Sequence, residues 1–405
     1  MPRAIKRHRD TPLGLLQDEF TDWMQHQGFS KSAQHHHVIY VTQFGRYLQR
    51  IKLNNPKQLK EKHLSQFINR VKKSVGIRCA KSRSYAIKLF YDFLYHKNIL
   101  SKPKPRLTRF ETIVESYIRW LEKECHLAQG TCELRRGYLT RFFYGDLKLT
   151  RLAHLSGNVV QHHFVLYAQH NSLAARRSMQ ATLRTFFRYC YLSGIAKKDL
   201  SSAIPRLKTY RLSTTPRGIS HTDALQVLDI IDRHTAVGKR DYAVIRLLFH
   251  YGLRAAHVRL LRLDDIDWQN NVIHCHAIKQ GKPLSLPLIP EVGNAILDYL
   301  RYARPMTHHR QLFLTTRAPY LPLRWSNILS AMVRRRFADA NVDAVSAAHA
   351  FRHGFATQAL ANGVSLKGIA DLLGHQCLQT TLIYTKVDFI ALHEIPLEIP
   401  EEIRS

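Results

Sequence analysis

Two stretches of this 405-residue chain repeat the same order of aromatic residues at a nearly constant distance. The matching pairs, each separated by 97 or 98 residues, are Phe20/Tyr117, Trp23/Trp120, Tyr40/Tyr138, Phe44/Phe142, Phe67/Phe164 and Phe90/Phe187. A constant offset over this many positions indicates a tandem duplication of one structural unit. The alternative is that two unrelated helical domains share these aromatic positions by chance.

The spacing of apolar residues predicts that both copies are helical. Helical periodicity relates Leu15, Phe20, Trp23 and Met24. The segment Gly28-Phe29-Ser30 ends this helical pattern, and Ser30 is expected to cap the next helix. Further helical patterns cover 38–48, 64–71 and 80–95. The predicted amino-terminal organisation is a basic tail (1–10), a first helical domain (11–105), a second helical domain (106–210) and a linker (211–219).

The carboxyl-terminal half combines helices with two short strands. Ser220 is expected to cap a helix through Asp232, and further helices are predicted near 240–251, 255–261, 290–303, 325–338, 350–361 and 365–373. Residues 272–278 and 283–288 are predicted to form two short strands that are joined around Gly281. The predicted fold is therefore mainly α with a small antiparallel β-sheet, with a third domain over 220–390 and a tail over 391–405.

The charge distribution favours a polyanionic partner. The net charge is +31, and residues 1–106 hold 22 Lys/Arg against 6 Asp/Glu, whereas residues 219–405 are nearly balanced with 21 against 17. No apolar run is long enough to cross a bilayer, and no apolar stretch follows the basic amino terminus, so neither a membrane partner nor a secretory signal is expected. A cytoplasmic protein, associated with the nucleoid when bound to DNA, is the expected location.

Metal binding and ATP hydrolysis are not expected. The six cysteines form no Cys-x-x-Cys pair, and His35-His36-His37 and His162-His163 fan around their helices instead of converging. No clustered carboxylates suggest a two-metal nuclease, and no phosphate-binding Gly-rich loop is present.

Four segments of the carboxyl-terminal half form a recognisable set in a fixed order. They are the first arginine segment from Tyr251 to Asp267, the Lys-bearing segment from Ile278 to Leu288, His349-Ala350-Phe351-Arg352, and Leu372-Leu373-Gly374-His375 followed nine residues after the histidine by Tyr384. Together they resemble the tyrosine recombinases, which include phage integrases and Xer-type enzymes. The resemblance implies two tandem helical SAM-like core-binding domains followed by a tyrosine-recombinase catalytic domain.

The resemblance also assigns roles to these residues. Arg254 and Arg352 would stabilise the charge of the scissile phosphate, because guanidinium groups are permanently charged and bidentate. Tyr384 would form a 3′-phosphotyrosine, so rejoining needs no cofactor. Lys279 is favoured over Lys282 as the proton donor to the leaving oxygen, with Lys282 contacting DNA nearby. His349 and His375 would flank the phosphate.

The implied partners are double-stranded DNA, a homotetramer that joins two DNA sites, and possible partner recombinases. The family resemblance implies a C-shaped clamp around the duplex, with Arg176, Arg177 and Arg184 of the second helical domain against DNA and the 391–405 tail docking on a neighbouring subunit. The first helical domain is expected to extend the same footprint; a role in protein interaction is the alternative. Integration, excision or transposition of a mobile element is the expected process.

One position departs from the family pattern. An acidic residue is usual three positions after the first arginine, and His257 stands there instead. Either another acid, such as Asp264 or Asp265, supplies the missing carboxylate, or the active site is arranged differently. Two rival functions remain open, a type IB topoisomerase and an inactive DNA-binding relative, and the second would be favoured by His257.

Overall fold

A computed structural model describes residues 11–101, 107–146, 155–208, 218–278, 282–324, 326–343, 347–374 and 381–384. The chain forms two compact units. One contains a first helical region (residues 11–101) and a carboxyl-terminal region (residues 218–384). The other contains a second helical region (residues 107–208).

The first helical region consists of α1 (Gly14–His26), α2 (Lys31–Arg50), a 3₁₀ turn (Pro56–Gln58) and α3 (Glu61–His96). Ser30 caps α2 as predicted, because its side-chain oxygen accepts a hydrogen bond from the backbone N–H of Ala33 at 3.3 Å. The helices predicted over 64–71 and 80–95 are the two halves of α3. Gly76, with a φ of 80°, separates them.

The second helical region has the same order of elements. It consists of α4 (Arg109–Lys123), α5 (Gln129–Thr140), a π-helical turn (Arg141–Asp146), α6 (Gly157–Gln169) and α7 (Leu173–Leu192). Thr108, Ser156 and Ser172 cap α4, α6 and α7 through their side-chain oxygens. Each helical region has its own apolar core.

The aromatic clusters of the two helical regions have the same internal geometry. Phe20 stacks on Trp23 (centroids 6.0 Å, planes 18° apart), and Tyr117 stacks on Trp120 (6.2 Å, 26°). Phe20 also meets Phe90 edge-on (5.1 Å, 85°), and its equivalent Tyr117 meets Phe186 in the same way (5.3 Å, 83°).

The ring geometry therefore pairs Phe90 with Phe186, and the predicted pairing of Phe90 with Phe187 is wrong by one residue. Phe186 and Phe187 are adjacent and both are buried, so spacing alone could not distinguish them. The contact of Phe20 with Phe93 (5.5 Å, 52°) matches that of Tyr117 with Tyr189 (5.5 Å, 54°) and supports the same 96-residue offset for this helix.

The core of the carboxyl-terminal region is centred on the helix Ala236–Tyr251, whose buried apolar residues are Ala243, Val244, Ile245, Leu247, Leu248 and Tyr251. Its helices are α8 (His221–Asp229), α9 (Ala236–Tyr251), α10 (Ala255–Leu260), α11 (Pro290–Tyr302), α12 (Ser326–Asp339), α13 (Ala348–Ala361) and α14 (Leu366–Leu372). Ser220 caps α8 as predicted, by accepting from the N–H of Asp223 at 3.0 Å.

A three-stranded antiparallel sheet lies beside these helices. Its strands are β1 (Ile266–Asp267), β2 (Val272–Cys275) and β3 (Leu284–Pro287), in the order β1-β2-β3. Ile273 lies opposite both Ile266 and Leu286 in the register, and all three are buried. The predicted strands are present but shorter, and β1 was not predicted because two residues carry no periodicity. The fold is thus mainly α with a small antiparallel sheet, as the sequence predicted.

No helix in the described part of the chain is both long enough and apolar enough to cross a membrane.

Candidate active site

The turn after α9 places the first arginine. Gly252 ends α9 with a φ of 56°, and a Cβ atom there would lie 2.9 Å from Phe355 Cδ1 and 3.1 Å from Leu373 Cδ2. Glycine is therefore required both by the left-handed conformation and by the close contact. Arg254 follows two residues later, and its Nη1 atom donates to the carbonyl oxygens of Leu373 (3.4 Å) and Gly374 (3.5 Å).

Arg352 projects from α13 into the same place and is only 4% exposed. Its Nη1 donates to the carbonyl oxygen of Gly252 (2.9 Å) and its Nη2 to that of Leu373 (2.7 Å). Backbone carbonyls accept from part of the N–H groups of both arginines, but they carry no formal negative charge. Among the described residues, no carboxylate forms an ion pair with Arg254 or Arg352.

The two guanidinium groups influence each other's protonation. Burial, and then the charge of Arg254, lowers the pKa of Arg352 to about 10. Burial lowers the pKa of Arg254 as well. Both groups remain charged at neutral pH, and they form a cationic centre with the donor geometry that suits phosphate oxygens.

Tyr384 is buried beside this centre, with 2% of its surface exposed. Its ring belongs to a small apolar cluster with Ala356, Ile369 and Leu373. Burial raises the pKa of Tyr384, whereas the charges of Arg352 and Arg254 lower it. The structure therefore brings together the predicted nucleophile and both predicted arginines.

His353 is a site residue that the sequence analysis missed. Its Nδ1 atom lies 3.1 Å from the hydroxyl oxygen of Tyr384. Burial, followed by the nearby His349 and Arg352, lowers the pKa of His353 to about 4, so its ring is neutral at neutral pH. The available signal was its position, directly after Arg352 and one helical turn after His349.

Of the four remaining predicted site residues, the structure describes only two, His349 and Lys282. His349 lies on the exposed side of the group, with its ring centroid 6.3 Å from that of His353. Partial burial, and then Arg352 and Arg254, lower the pKa of His349. Lys282 is exposed just before β3. Lys279 and His375 lie outside the described residues.

His257 is buried against the two arginines, at 4% exposure. Burial, and then Arg254 and Arg352, lower the pKa of His257 to about 4, so it contributes no charge at neutral pH. Its Nδ1 atom has no hydrogen-bond partner among the described residues.

The expectation that Asp264 or Asp265 replaces the missing carboxylate is wrong, because both are engaged elsewhere. Asp264 pairs with Arg310 on the surface. Asp265 accepts from the N–H of Arg262 (2.8 Å) and lies 2.8 Å from Nε2 of His276. The arginine pair is therefore left without a carboxylate in the part of the chain that the structure describes.

The residues predicted to bind DNA in the second helical region lie on α7. Arg176 donates from Nε to the carbonyl oxygen of Asn171 (2.6 Å), which ties it to the start of its own helix. Arg177 is exposed and Arg184 is half-buried. Neither forms a hydrogen bond or ion pair within the described residues, so both side chains are available to a ligand.

Comparison with known proteins identifies the family. Residues 218–390 match the phage integrase family. The protein y4rA of Sinorhizobium fredii, named as an integrase/recombinase, is 31% identical over 408 residues, which cover 98% of this chain and 97% of that protein. Tyrosine recombinase XerD of Lacticaseibacillus casei is 28% identical over 281 residues, which cover 67% of this chain and 93% of XerD.

The solved structures agree on the fold. The structure of XerH site-specific recombinase bound to palindromic difH substrate superposes with a TM-score of 0.53 at 17% identity, over 72% of this chain and 97% of XerH. The chain belongs to the phage integrase family and is a tyrosine-type site-specific recombinase. The family resemblance predicted from the four segments is confirmed.

Proposed function

We propose that this recombinase cleaves and rejoins double-stranded DNA through a 3′-phosphotyrosine at Tyr384, during the integration, excision or transposition of a mobile element. The observation that carries the proposal is the position of the Tyr384 hydroxyl. It is hydrogen-bonded to a neutral histidine and lies within the electrostatic influence of two arginines that no described carboxylate neutralises.

The arginine pair accounts for phosphate activation. Attack on a phosphodiester produces a pentacoordinate state with additional negative charge on the non-bridging oxygens. Arg254 and Arg352 are already oriented by carbonyl groups, so they stabilise that charge without reorganising during the reaction. A phosphate entering the site would also supply the negative charge that the described residues do not.

Proton transfer in the cleavage step is assigned to two different groups. Tyr384 attacks phosphorus, the new bond joins its oxygen to phosphorus, and its proton passes to Nδ1 of His353. The bond from phosphorus to the 5′ oxygen breaks, and Lys279 gives that oxygen a proton. Although burial is the main cause of the low pKa of His353, an incoming phosphate offsets the charge of Arg352 and makes the imidazole a better base.

His349 and His375 complete the proposed site by donating hydrogen bonds to the phosphate. Arg177 and Arg184 are proposed to contact the DNA backbone from α7, with Arg176 supporting the start of that helix, and Lys282 to contact DNA close to the cleavage site. No cofactor is needed, because the phosphotyrosine linkage conserves the energy of the broken phosphodiester.

The carboxyl-terminal tail, residues 391–405, is proposed to hold the subunits of the recombinase together. An apolar cavity of about 870 Å³ in the carboxyl-terminal region is lined by residues that include Ile219, Phe249, Phe351, Phe355 and Val364. Residues 391–405 mix apolar side chains with acidic ones. We assign this cavity to the tail of a neighbouring subunit within a homotetramer that holds two DNA sites.

Replacing Tyr384 by phenylalanine tests the proposal. The Tyr384→Phe protein keeps the packing of the ring and loses the nucleophile, so DNA binding should persist while covalent adducts disappear. The measurement is adduct formation on a nicked suicide duplex, separated by denaturing gel electrophoresis, with the unmodified protein as the control. Adducts that persist with Tyr384→Phe would refute the assignment. Recombination that depends on two sites would distinguish the enzyme from a topoisomerase.

A further inference from the structure

Asp265 is a buried carboxylate that the proposed reaction does not use, and it is bonded to the segment that leads to Lys279. It is only 6% exposed. Its Oδ2 atom accepts from the backbone N–H of Arg262 (2.8 Å), and its Oδ1 atom lies 2.8 Å from Nε2 of His276. A carboxylate can only accept, so Nε2 of His276 donates in this bond. Because an unpaired buried charge is costly, the bond holds His276 in place.

The turn that carries Asp265 is fixed relative to the arginine pair. Arg254 directly precedes α10, and a 3₁₀ turn (Leu263–Asp265) follows that short helix. The backbone N–H of Leu263 donates to the carbonyl oxygen of Arg310 at 2.8 Å, which anchors the turn to a later segment. Asp265 therefore lies at the end of a short, hydrogen-bonded connection from a residue that is proposed to hold the phosphate.

His276 occupies the point where the hairpin leaves its registered pairing. It directly follows β2, and Lys279 comes three residues later in the sequence. The last registered pair of β2 with β3 is Cys275 opposite Leu284. The bond to Asp265 therefore anchors the chain one residue beyond that pair, on the side of the hairpin from which Lys279 follows.

The other strand of the hairpin contacts the surroundings of Arg254. Gly374 has a φ of 62°, and a Cβ atom there would lie 3.3 Å from Cδ2 of Leu284 in β3. Glycine thus allows Leu284 to pack closely against this turn. The carbonyl oxygen of Gly374 accepts from Nη1 of Arg254 at 3.5 Å. Both strands are therefore held near Arg254, β3 through Leu284 and β2 through His276.

We propose that the Asp265–His276 bond positions the β2–β3 hairpin so that Lys279 can protonate the leaving 5′ oxygen. Capping the 3₁₀ turn needs one carboxylate oxygen, whereas the second oxygen of Asp265 is bonded to the hairpin. Asp265 and His276 are positioning residues, because they act through Lys279.

This inference rests on the proposed function, in which Lys279 is the proton donor. As the bond from phosphorus to the 5′ oxygen breaks, a proton passes from Nζ of Lys279 to that oxygen. A misplaced donor slows this transfer and leaves attack by Tyr384 unchanged. The effect of the Asp265–His276 bond should therefore disappear when the leaving group needs no proton.

The test uses the full-length protein and two suicide duplexes, one with the ordinary 5′ oxygen and one with sulfur in its place. A thiolate leaves without protonation, so the sulfur duplex does not need the proton donor. His276→Ala should slow single-turnover cleavage of the ordinary duplex by about 10- to 100-fold, as expected for a misplaced catalytic group. It should cleave the sulfur duplex within a few-fold of the unmodified protein.

Two further variants sharpen the comparison. His276→Gln should recover most of the rate on the ordinary duplex, because its amide nitrogen lies as many bonds from Cα as Nε2 of histidine and can donate to Asp265. The matched control is His274→Ala. His274 is exposed on the same strand, but its Nδ1 atom lies 3.3 Å from Oγ of Ser285 on β3. This control should cleave both duplexes at nearly the unmodified rate.

Two results would overturn the inference. One is a His276→Ala protein that cleaves the ordinary duplex at the unmodified rate. The other is equal slowing on both duplexes, which would indicate a general disturbance of the site. Lys279→Ala separates this failure from that of the proposed function. If sulfur restores cleavage by Lys279→Ala but not by His276→Ala, Lys279 remains the donor and only the positioning role fails. If sulfur does not restore Lys279→Ala, the proposed donor is wrong, and this inference fails with it.

Discussion

The carboxyl-terminal region contains two pairs of largely buried arginines with opposite surroundings. Arg240 and Arg336 lie on either side of Asp241, which is 2% exposed, and each donates to a different oxygen of that carboxylate at 2.7 Å. Arg254 and Arg352 donate to backbone carbonyls instead, and no carboxylate in the described part of the chain pairs with them.

The difference shows how one side-chain type performs two tasks in the same region. The Asp241 carboxylate lies on α9 and Arg336 on α12, so the first pair joins two helices. Arg336 also pairs with Asp339 at 3.2 Å, so two carboxylates balance the two arginines. The second pair is oriented but unbalanced, which leaves its electrostatic attraction available to an anionic ligand. The presence or absence of a carboxylate separates the structural pair from the pair proposed to be catalytic.

The largest expected effects come from removing Arg352 from one pair and, as the matched change, the Asp241 carboxylate that holds the other pair. Arg352→Gln should slow cleavage by about 100- to 1,000-fold, as expected for loss of one preorganised donor to a developing charge. Its effect on stability should be smaller than that of losing a shared carboxylate, because removal of a buried charge without a counterion offsets the loss of two hydrogen bonds to backbone carbonyls. Single-turnover cleavage of a suicide duplex and thermal unfolding of the same preparation provide the two measurements.

The matched variant for that experiment is Asp241→Asn. It leaves two arginines without their shared carboxylate, and the cost should be about 3–5 kcal/mol of unfolding free energy. At a temperature where the variant remains folded, its cleavage rate should stay within a few-fold of the unmodified protein. If Asp241→Asn lost activity but not stability, while Arg352→Gln did the reverse, the distinction between the two pairs would be wrong.

A smaller effect is expected at His353, which receives the tyrosine proton in the proposed mechanism. His353→Gln keeps a hydrogen-bonding side chain but removes the base, so cleavage should slow by about 100-fold, within the range for general base catalysis. The unmodified enzyme should lose activity as pH falls through the pKa of His353 in the DNA complex. The pH–rate profile of His353→Gln should lack that acid limb, and an unchanged profile would leave His353 with a structural role only.

The sequence predicted site residues that a local pattern marks, but not contacts between residues that are far apart in the chain. Arg254 follows a glycine that ends a helix, and Arg352 lies in a short helical segment, so local pattern identified both. The contact between His353 and Tyr384 joins residues 31 positions apart and depends on how residues 381–384 pack against α13. Nothing in the spacing of either residue specifies that packing.

The same limit explains the misassigned carboxylates. Asp264 and Asp265 are close to Arg254 in sequence, which made them reasonable replacements for the acid absent at position 257. Their partners Arg310 and His276 are supplied by later segments of the chain. Local sequence established that a carboxylate was missing, but only the tertiary structure established that none of the nearby candidates replaces it.

The smallest predicted effect concerns His257, whose neutral ring adds no third positive charge to the Arg254–Arg352 pair. Its pKa is about 4 in the folded protein against an ordinary value of 6.5. Between these values the unfolded chain binds more protons than the folded one, so stability is present above pH 6.5 and is lost as pH falls towards 4. His257→Asn removes this dependence. The stability of the unmodified protein relative to His257→Asn should therefore fall by about 2 kcal/mol between pH 7 and pH 5.

The measurement is the difference in thermal unfolding between the full-length proteins at matched pH values. His353 has a similarly low pKa, but it is present in both proteins, so its contribution cancels in the difference. A difference that stays constant from pH 7 to pH 5 would mean that His257 titrates alike in the folded and unfolded chain. It would then become charged beside Arg254 and Arg352 in mild acid, and the catalytic centre would gain a third cation instead of holding a neutral imidazole next to two.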